Sequence, residues 1–332
     1  MRELRVGVAG AGLIAGEHVH AYAATPGVRV VAVADPVPDK AARLAATVGA
    51  SVVADLDAIL EAGVDIVSVC TPPTSHAALT VQALQAGAAV LCEKPIARTL
   101  DDARRIVDAS RDAAGIVMVG HVSRFEPDHR QAKQVVDAGH LGSVQMASHS
   151  MTTSLPGWSE NGWLADIEES GGPLVDLAVH SFDYLAWATG SHPVRVHAVG
   201  ADTAAGPSTY VLTNLRYASG AIGLVETSWA HPAAHGFKLR AELIGTEGRL
   251  SWDYDRLNGG TMYRAGGDTS WFDPLGDRGY LAEIARFTEA VRNGGPSPID
   301  AEQGLVALRT ALAALESVRS GRTVDLTTWE PG

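Results

Sequence analysis

The chain has 332 residues, 46% of them hydrophobic and 19% charged, with a formal net charge of −12. That length exceeds one ordinary core and predicts two domains, and the composition carries no disorder signature. The acidic balance without a basic patch excludes nucleic acid and anionic membrane as partners, and no apolar run approaches the about 20 residues of a bilayer span.

From the N-terminus, short β-branched runs alternate with Ala-rich helical patterns. "LRVGVAG" reads as a strand, Leu13 to Ala24 as a helix, "VRVVAVAD" as a strand and Asp39 to Val48 as a helix. "VDIVSVC", "AAVLCEKP" and "GIVMVGHV" read as further strands, with helices over Ser75 to Ala86 and Leu100 to Ala114 between them. Continuous apolar strands bracketed by helices predict a doubly wound parallel sheet. The chain enters this pattern directly, with no leader segment, and its two cysteines, Cys70 and Cys92, each end an apolar run. They read as small buried residues of a reducing compartment, so a cytoplasmic protein is expected.

The first strand runs into Gly10-Ala11-Gly12-Leu13-Ile14-Ala15, a G-x-G-x-x-A pattern that opens a helix, and Asp35 ends the second strand 20 residues beyond Ala15. Gly10 allows the tight turn, Gly12 admits a pyrophosphate close to the backbone, and Ala15 permits close helix–strand packing. Asp35 suits the two ribose hydroxyls of NAD and would repel a 2′-phosphate. NAD is therefore favoured, while Lys40 and Arg43 keep NADP from being excluded. Two later loops leave the same carboxyl edge of the sheet, one with Thr71, Pro72 and His76, the other with Glu93, Lys94 and Pro95. A Glu-Lys dipeptide is ordinarily a solvated surface pair, but its place at a strand end, followed by proline, favours a site. Only four of the 26 basic residues are lysines, which points the same way, since an ammonium can exchange a proton and a guanidinium cannot.

After about Gly120 the pattern changes to alternating runs, "VQMASHSMT", "VRVHAVGAD", "TYVLTNLRYA", "AIGLVETSWA" and "FKLRAELIG", as in an antiparallel sheet. Between the first two lies "GGPLVDLAVHSFDYLAWATG", punctuated as a helix by Pro173 and Gly190. Asp176, His180 and Asp183 stand at i, i+4 and i+7, on one face of that helix. The stripe is either a wet face or a site, and it has none of the Lys, Glu, Arg and Gln of a usual wet face. His149, His231 and His235 either reach the cleft or are structural, the commoner role of lone histidines on strands, and no ligand spacing predicts a metal site.

With "GVAGAGLIAGEHVHAY", "TPPTSHAAL", "CEKPIA", "RFEPDHRQAK" and "GGPLVDLAVHSFDYLAW" in order, the chain resembles the Gfo/Idh/MocA oxidoreductases, from Leu4 to about Leu326. The resemblance implies an α/β fold: an N-terminal Rossmann domain, placed at 1–122, and a C-terminal α/β domain with a large, mostly antiparallel sheet, at 123–332. Whether the C-terminal helix packs back toward the first domain is left open. The second domain would form a homodimer or homotetramer, and apolar residues on both alternating sets of its strands agree. The resemblance further implies NAD(P)-dependent oxidation of a secondary hydroxyl, or its reverse, on a sugar, polyol or cyclitol. By position, Lys94, Asp176 and His180 match the catalytic group, and Asp183 matches a substrate-contacting acid. In the chemistry this suggests, His180 is the base, Asp176 holds its tautomer, and Lys94 stabilises the alkoxide or exchanges the proton.

Gly10, Gly12, Leu13, Ile14, Ala15, Asp35, Thr71, Pro72, His76, Glu93 and Lys94 are the expected cofactor residues. His121, Arg124, Trp163 and Tyr280 join Lys94, Asp176, His180 and Asp183 as candidates for touching substrate. Phe237 stands where inositol dehydrogenases place a tyrosine, and Trp158 and Trp163 lie near the site entrance; both features weigh against myo-inositol itself. Two rival readings use the same scaffold: a tightly held NAD serving glycosidic cleavage or sugar–sugar redox, and a non-catalytic NAD sensor. The intact Lys94, Asp176 and His180 argue against the sensor.

Overall fold

A computed structural model describes residues 2–157, 160–254, 260–264, 267, 269–272 and 279–331. The chain divides into two compact units, residues 1–125 with 277–305 and residues 126–276 with 306–332.

The first unit begins β1 (Leu4–Ala9), α1 (Leu13–Ala24), β2 (Val28–Ala34), α2 (Pro38–Ala46), β3 (Ser51–Val53) and α3 (Leu56–Glu61). It continues β4 (Ile66–Val69), α4 (Pro73–Gln85), β5 (Ala89–Glu93), α5 (Leu100–Asp112) and β6 (Val117–Gly120). The six strands are ordered β3-β2-β1-β4-β5-β6, and every neighbouring pair is parallel. Every residue of β4, β5 and β6 is buried, as a sheet covered on both faces requires. The order reverses between β1 and β4, so the loop after β1 lies at the switch point where open α/β sheets bind ligands. The expected doubly wound sheet is present, with β3 and α3 in addition.

The second unit runs α6 (Pro127–Asp137), β7 (Val144–Thr152), α7 (Ile167–Ser170), α8 (Gly172–Asp176), α9 (Ala178–Thr189), β8 (Pro193–Thr203), β9 (Gly206–Tyr217) and β10 (Ile222–Ser228). It continues β11 (Lys238–Gly245), β12 (Gly248–Asp253), β13 (Gly260–Arg264) and β14 (Thr269–Phe272). After α10 (Gly279–Asn293), which belongs to the first unit, α11 (Ala301–Ser320) leads to β15 (Val324–Asp325). The sheet is ordered β14-β13-β12-β11-β7-β10-β9-β8-β15, and only β7 and β10 pair in parallel. In β9 buried and open residues alternate from Thr209 to Tyr217, so one face is covered and the other open. α9 packs on β7 and β10, and α8 on β9 and β10, which covers the inner face. The open face leaves Val199, Leu212, Ile222 and Leu224 exposed.

Candidate active site

In the first unit Gly10 has φ +93°, and a Cβ there would stand 2.6 Å from the Cys70 carbonyl oxygen, so glycine is required. Gly12 is the N-cap of α1, and a Cβ on it would meet nothing within 4 Å, so the backbone is open to a ligand. The first turn of α1 carries no acid and no side-chain cap, a composition suited to receiving an anion. Leu13 is exposed, Ile14 half-buried and Ala15 fully buried against the sheet. The Asp35 carboxylate accepts the Ala11 N–H at 2.7 Å and the Val37 N–H at 2.8 Å, which fixes it beside the glycine loop. Each of its oxygens keeps a further lone pair for a ribose hydroxyl. These features fit a dinucleotide.

The loops after β4 and β5 are braced together. His76 is fully buried, its Nδ1 2.9 Å from the Pro95 carbonyl and its Nε2 2.8 Å from that of Thr71. Burial lowers its pKa, against the pull of those two carbonyls. The Ser75 hydroxyl bonds to Thr71 Oγ1 at 2.7 Å and to the Pro72 carbonyl at 2.9 Å. Glu93 is only 6% exposed, which removes the surface-pair reading of Glu93-Lys94. Its Oε1 accepts the His18 Nε2–H at 2.8 Å and its Oε2 accepts the Lys94 N–H at 3.0 Å. Burial alone would lower the His18 pKa, but the Cys70 sulfur and then the Glu93 carboxylate hold it well above the imidazole range. Burial would likewise raise Glu93, and the His18 hydrogen bond leads the interactions that bring it below the carboxylate range. Lys94 is half-buried and its bond to Pro95 is cis. Tyr280, on α10, lies with its ring 5.9 Å from that of His18. Arg124 is buried and donates to Gln303 Oε1 at 3.1 Å, and His121, just past β6, is fully buried. Cys92 is buried, with its thiol pushed up to about 12 by desolvation, whereas Cys70 is only half-buried and sits 3.4 Å from His18 Nδ1.

In the second unit the helix expected over 171–190 is interrupted. Leu177 (φ −102°, ψ −50°) separates α8 from α9, so Asp176 ends one helix while His180 and Asp183 belong to the next. The His180 N–H reaches back to the Leu177 carbonyl at 3.2 Å, a tighter turn than the α-helix. No residue from 171 to 189 is exposed; Asp176 and His180 are half-buried and Asp183 is 2% exposed. The stripe is therefore not a wet face. Trp163 is half-buried in the short 3₁₀ helix Glu160–Ala165, and Trp158 lies outside the described residues.

A buried polar chain that the sequence did not announce lies beneath α9. Asp128 Oδ1 accepts both the backbone N–H and Nδ1–H of His129, His129 Nε2 is 3.1 Å from His149 Nε2, and His149 Nδ1 is 2.8 Å from Ser181 Oγ. Tyr184 and Trp252 wall it. Burial and then the neighbouring His129 hold the His149 pKa well below the imidazole range. Among the described residues no group of three or more His, Cys, Asp or Glu could hold a metal, and no helix is long and apolar enough to cross a membrane.

Residues 4–121 match the model of an oxidoreductase family with an NAD-binding Rossmann fold, and residues 129–251 match the GFO/IDH/MocA C-terminal domain. The chain is 32% identical to an inositol 2-dehydrogenase of Rhizobium meliloti (strain 1021), over 97% of this chain and 99% of that one. It is 27% identical to a scyllo-inositol 2-dehydrogenase (NAD⁺) of Bacillus subtilis (strain 168), over 98% and 96%. Among solved structures, a levoglucosan dehydrogenase in complex with NADH and levoglucosan superimposes with a TM-score of 0.88 at 26% identity, over 98% and 100%. With both of its halves matched, the chain belongs to the Gfo/Idh/MocA oxidoreductases, and its first unit carries their NAD-binding Rossmann fold.

Proposed function

We propose that this chain is an NAD-dependent dehydrogenase acting on a secondary hydroxyl of a polyhydroxylated small molecule: a sugar, polyol or cyclitol. The observation that carries the reading is the Asp176, His180 and Asp183 stripe, which holds acids and an imidazole on helices with no exposed position. The relatives named for inositol and levoglucosan support the substrate class. The Gly10–Ala15 loop and Asp35 would hold NAD, which would supply the acceptor for the hydride that leaves the carbon as the hydroxyl oxygen loses its proton. His180 takes that proton, and Asp176 orients the imidazole and stabilises the cation formed. The Lys94 ammonium stabilises the developing alkoxide, and Asp183 accepts hydrogen bonds from neighbouring hydroxyls. The first unit thus serves the cofactor and the second the substrate. Asp35 receives the ribose hydroxyls, so NAD binds more tightly than NADP. Calorimetry with both cofactors checks this; equal or tighter NADP binding would refute it.

A panel of cyclitols, polyols and anhydrosugars with NAD, read at the NADH absorbance, tests the activity. On the best substrate His180→Ala lowers turnover by about 10²–10⁴ and leaves NAD affinity nearly unchanged. A folded His180→Ala variant working at the parent rate ends the reading. The second unit also assembles the protein: its open sheet face, with Val199, Leu212, Ile222 and Leu224, packs on another copy. Light scattering checks this, a monomer at micromolar concentration being the contrary result.

A further inference from the structure

Three separate segments of the first unit are built around the Glu93 carboxylate. His18, from the second turn of α1, donates to Oε1 at 2.8 Å, and the backbone N–H of Lys94 donates to Oε2 at 3.0 Å. At the end of β6, Gly120 leaves the carboxylate its room, since a Cβ there would stand 2.8 Å from Oε1. The far side of His18 is fixed as well, its Nδ1 2.7 Å from Ser68 Oγ on β4 and 3.4 Å from Cys70 Sγ. His18 and Ser68 are fully buried. A buried polar chain thus runs from α1, whose N-cap is Gly12, to the main chain of Lys94.

We infer that Glu93, gripped by His18, is a positioning residue that fixes the Lys94 main chain relative to the dinucleotide-binding helix. The Glu93 carboxylate is committed to two donors inside the protein, so its part is mechanical. It ties α1, whose first turn would receive the cofactor's anion, to the residue whose ammonium serves the reaction. Charge-assisted hydrogen bonds in a low-dielectric setting are short and directional, and both donors here meet one carboxylate that is only 6% exposed. The importance of the position rests on the reading of Lys94 as catalytic; the position itself does not.

The chain has only four lysines, Lys40, Lys94, Lys133 and Lys238, which makes Lys94 observable by itself. Reductive ¹³C-methylation gives one resonance for each lysine and one for the amino terminus, assigned by single Lys→Arg variants. In the parent protein the Lys94 signal is distinct from those of the other three lysines and shifts when NAD is added. Glu93→Met, which keeps the side-chain length and removes both acceptors, moves that signal away from its parent position. It abolishes at least half of the NAD-induced shift, read at saturating NAD. Glu93→Gln restores the parent signal: its amide oxygen accepts the Lys94 N–H, and its NH₂ donates to a neutral His18 Nε2. If Glu93→Met fails to fold, His18→Leu is read in the same way. The inference is overturned if the folded variant keeps the parent Lys94 signal and its NAD response, or if Glu93→Gln behaves as Glu93→Met does. The signal is read without substrate, so the turnover of Lys94→Ala decides the catalytic reading separately.

Discussion

His18 in the first unit and His149 in the second are both buried and both lie in hydrogen-bonded chains, yet their proton affinities move in opposite directions. Burial pushes each ring toward neutrality. His18 has the Glu93 carboxylate on one nitrogen and the Cys70 sulfur near the other, and these outweigh burial. His149 has another imidazole on one nitrogen and a hydroxyl on the other, with Tyr184 alongside, and nothing there favours a cation. Partners, more than depth, set the charge of a buried group. The first unit consequently holds an ion pair next to Lys94, and the second a chain led by a neutral ring beneath the helix of His180.

The largest expected effect breaks the ion pair. Glu93→Met leaves His18 without its counter-charge, and removing one member of a buried pair costs about 3–5 kcal/mol. His149→Leu breaks the second chain more gently, leaving His129 Nε2 and the Ser181 hydroxyl without their partner, at about 2–3 kcal/mol. The two losses can be read apart because all seven tryptophans, at 158, 163, 187, 229, 252, 271 and 329, belong to the second unit. In urea, His149→Leu lowers the midpoint seen by tryptophan emission. Glu93→Met lowers mainly the midpoint seen by far-UV circular dichroism. Equal shifts in both probes for both variants would mean that the units unfold as one.

The pH dependence sharpens the contrast, because the two histidines act with opposite sign. An unfolded histidine titrates near about 6.5. His149 in the folded state has its pKa below that value, so its contribution is full at neutral pH. It is lost as the pH falls through about 6.5, where the unfolded chain takes up a proton that the folded chain refuses. His18 has its folded pKa above that value, so its contribution is full in acid and declines as the pH rises past about 6.5 toward the folded pKa. The groups facing His149 are His129 with Asp128 from α6, Ser181 and Tyr184 from α9, and Trp252 from β12 nearby. His149→Leu therefore flattens the acid limb of the tryptophan-detected stability profile. An unchanged acid limb would show that another group titrates there.

Much of this was legible in the sequence, and the failures are instructive. The parallel sheet could be read because its strands are continuous apolar runs, and the second unit's sheet because β7 to β11 alternate. The glycine loop and Asp35 are local signals tied to a strand end. β3 has three residues and α3 six, too few to show a period. The break at Leu177 was invisible because the i, i+4, i+7 spacing passes straight through it. His18 could not be matched to Ser68 and Glu93, 50 and 75 residues away, since only the folded sheet brings α1, β4 and β5 together. The Asp128, His129, His149 and Ser181 chain is illegible for the same reason. Its members come from α6, β7 and α9, and no motif spacing links them.

The smallest expected effect concerns the end of that second chain. Ser181 closes it at 2.8 Å from His149 Nδ1 and follows His180 directly on α9. Ser181→Ala removes one neutral hydrogen bond and little volume, so it costs about 1 kcal/mol in the tryptophan-detected midpoint. It leaves His149 buried beside His129, so the acid limb that His149→Leu flattens persists. If the chain also steadies α9 under the proposed base, Ser181→Ala lowers turnover by no more than a few fold, far less than His180→Ala. A loss of 100-fold or more, with the midpoint unmoved, would show instead that the Ser181 hydroxyl takes part in the proton transfer. The buried chain of the second unit would then have to be counted with the catalytic machinery, and its contrast with the His18–Glu93 pair as support against support would fail.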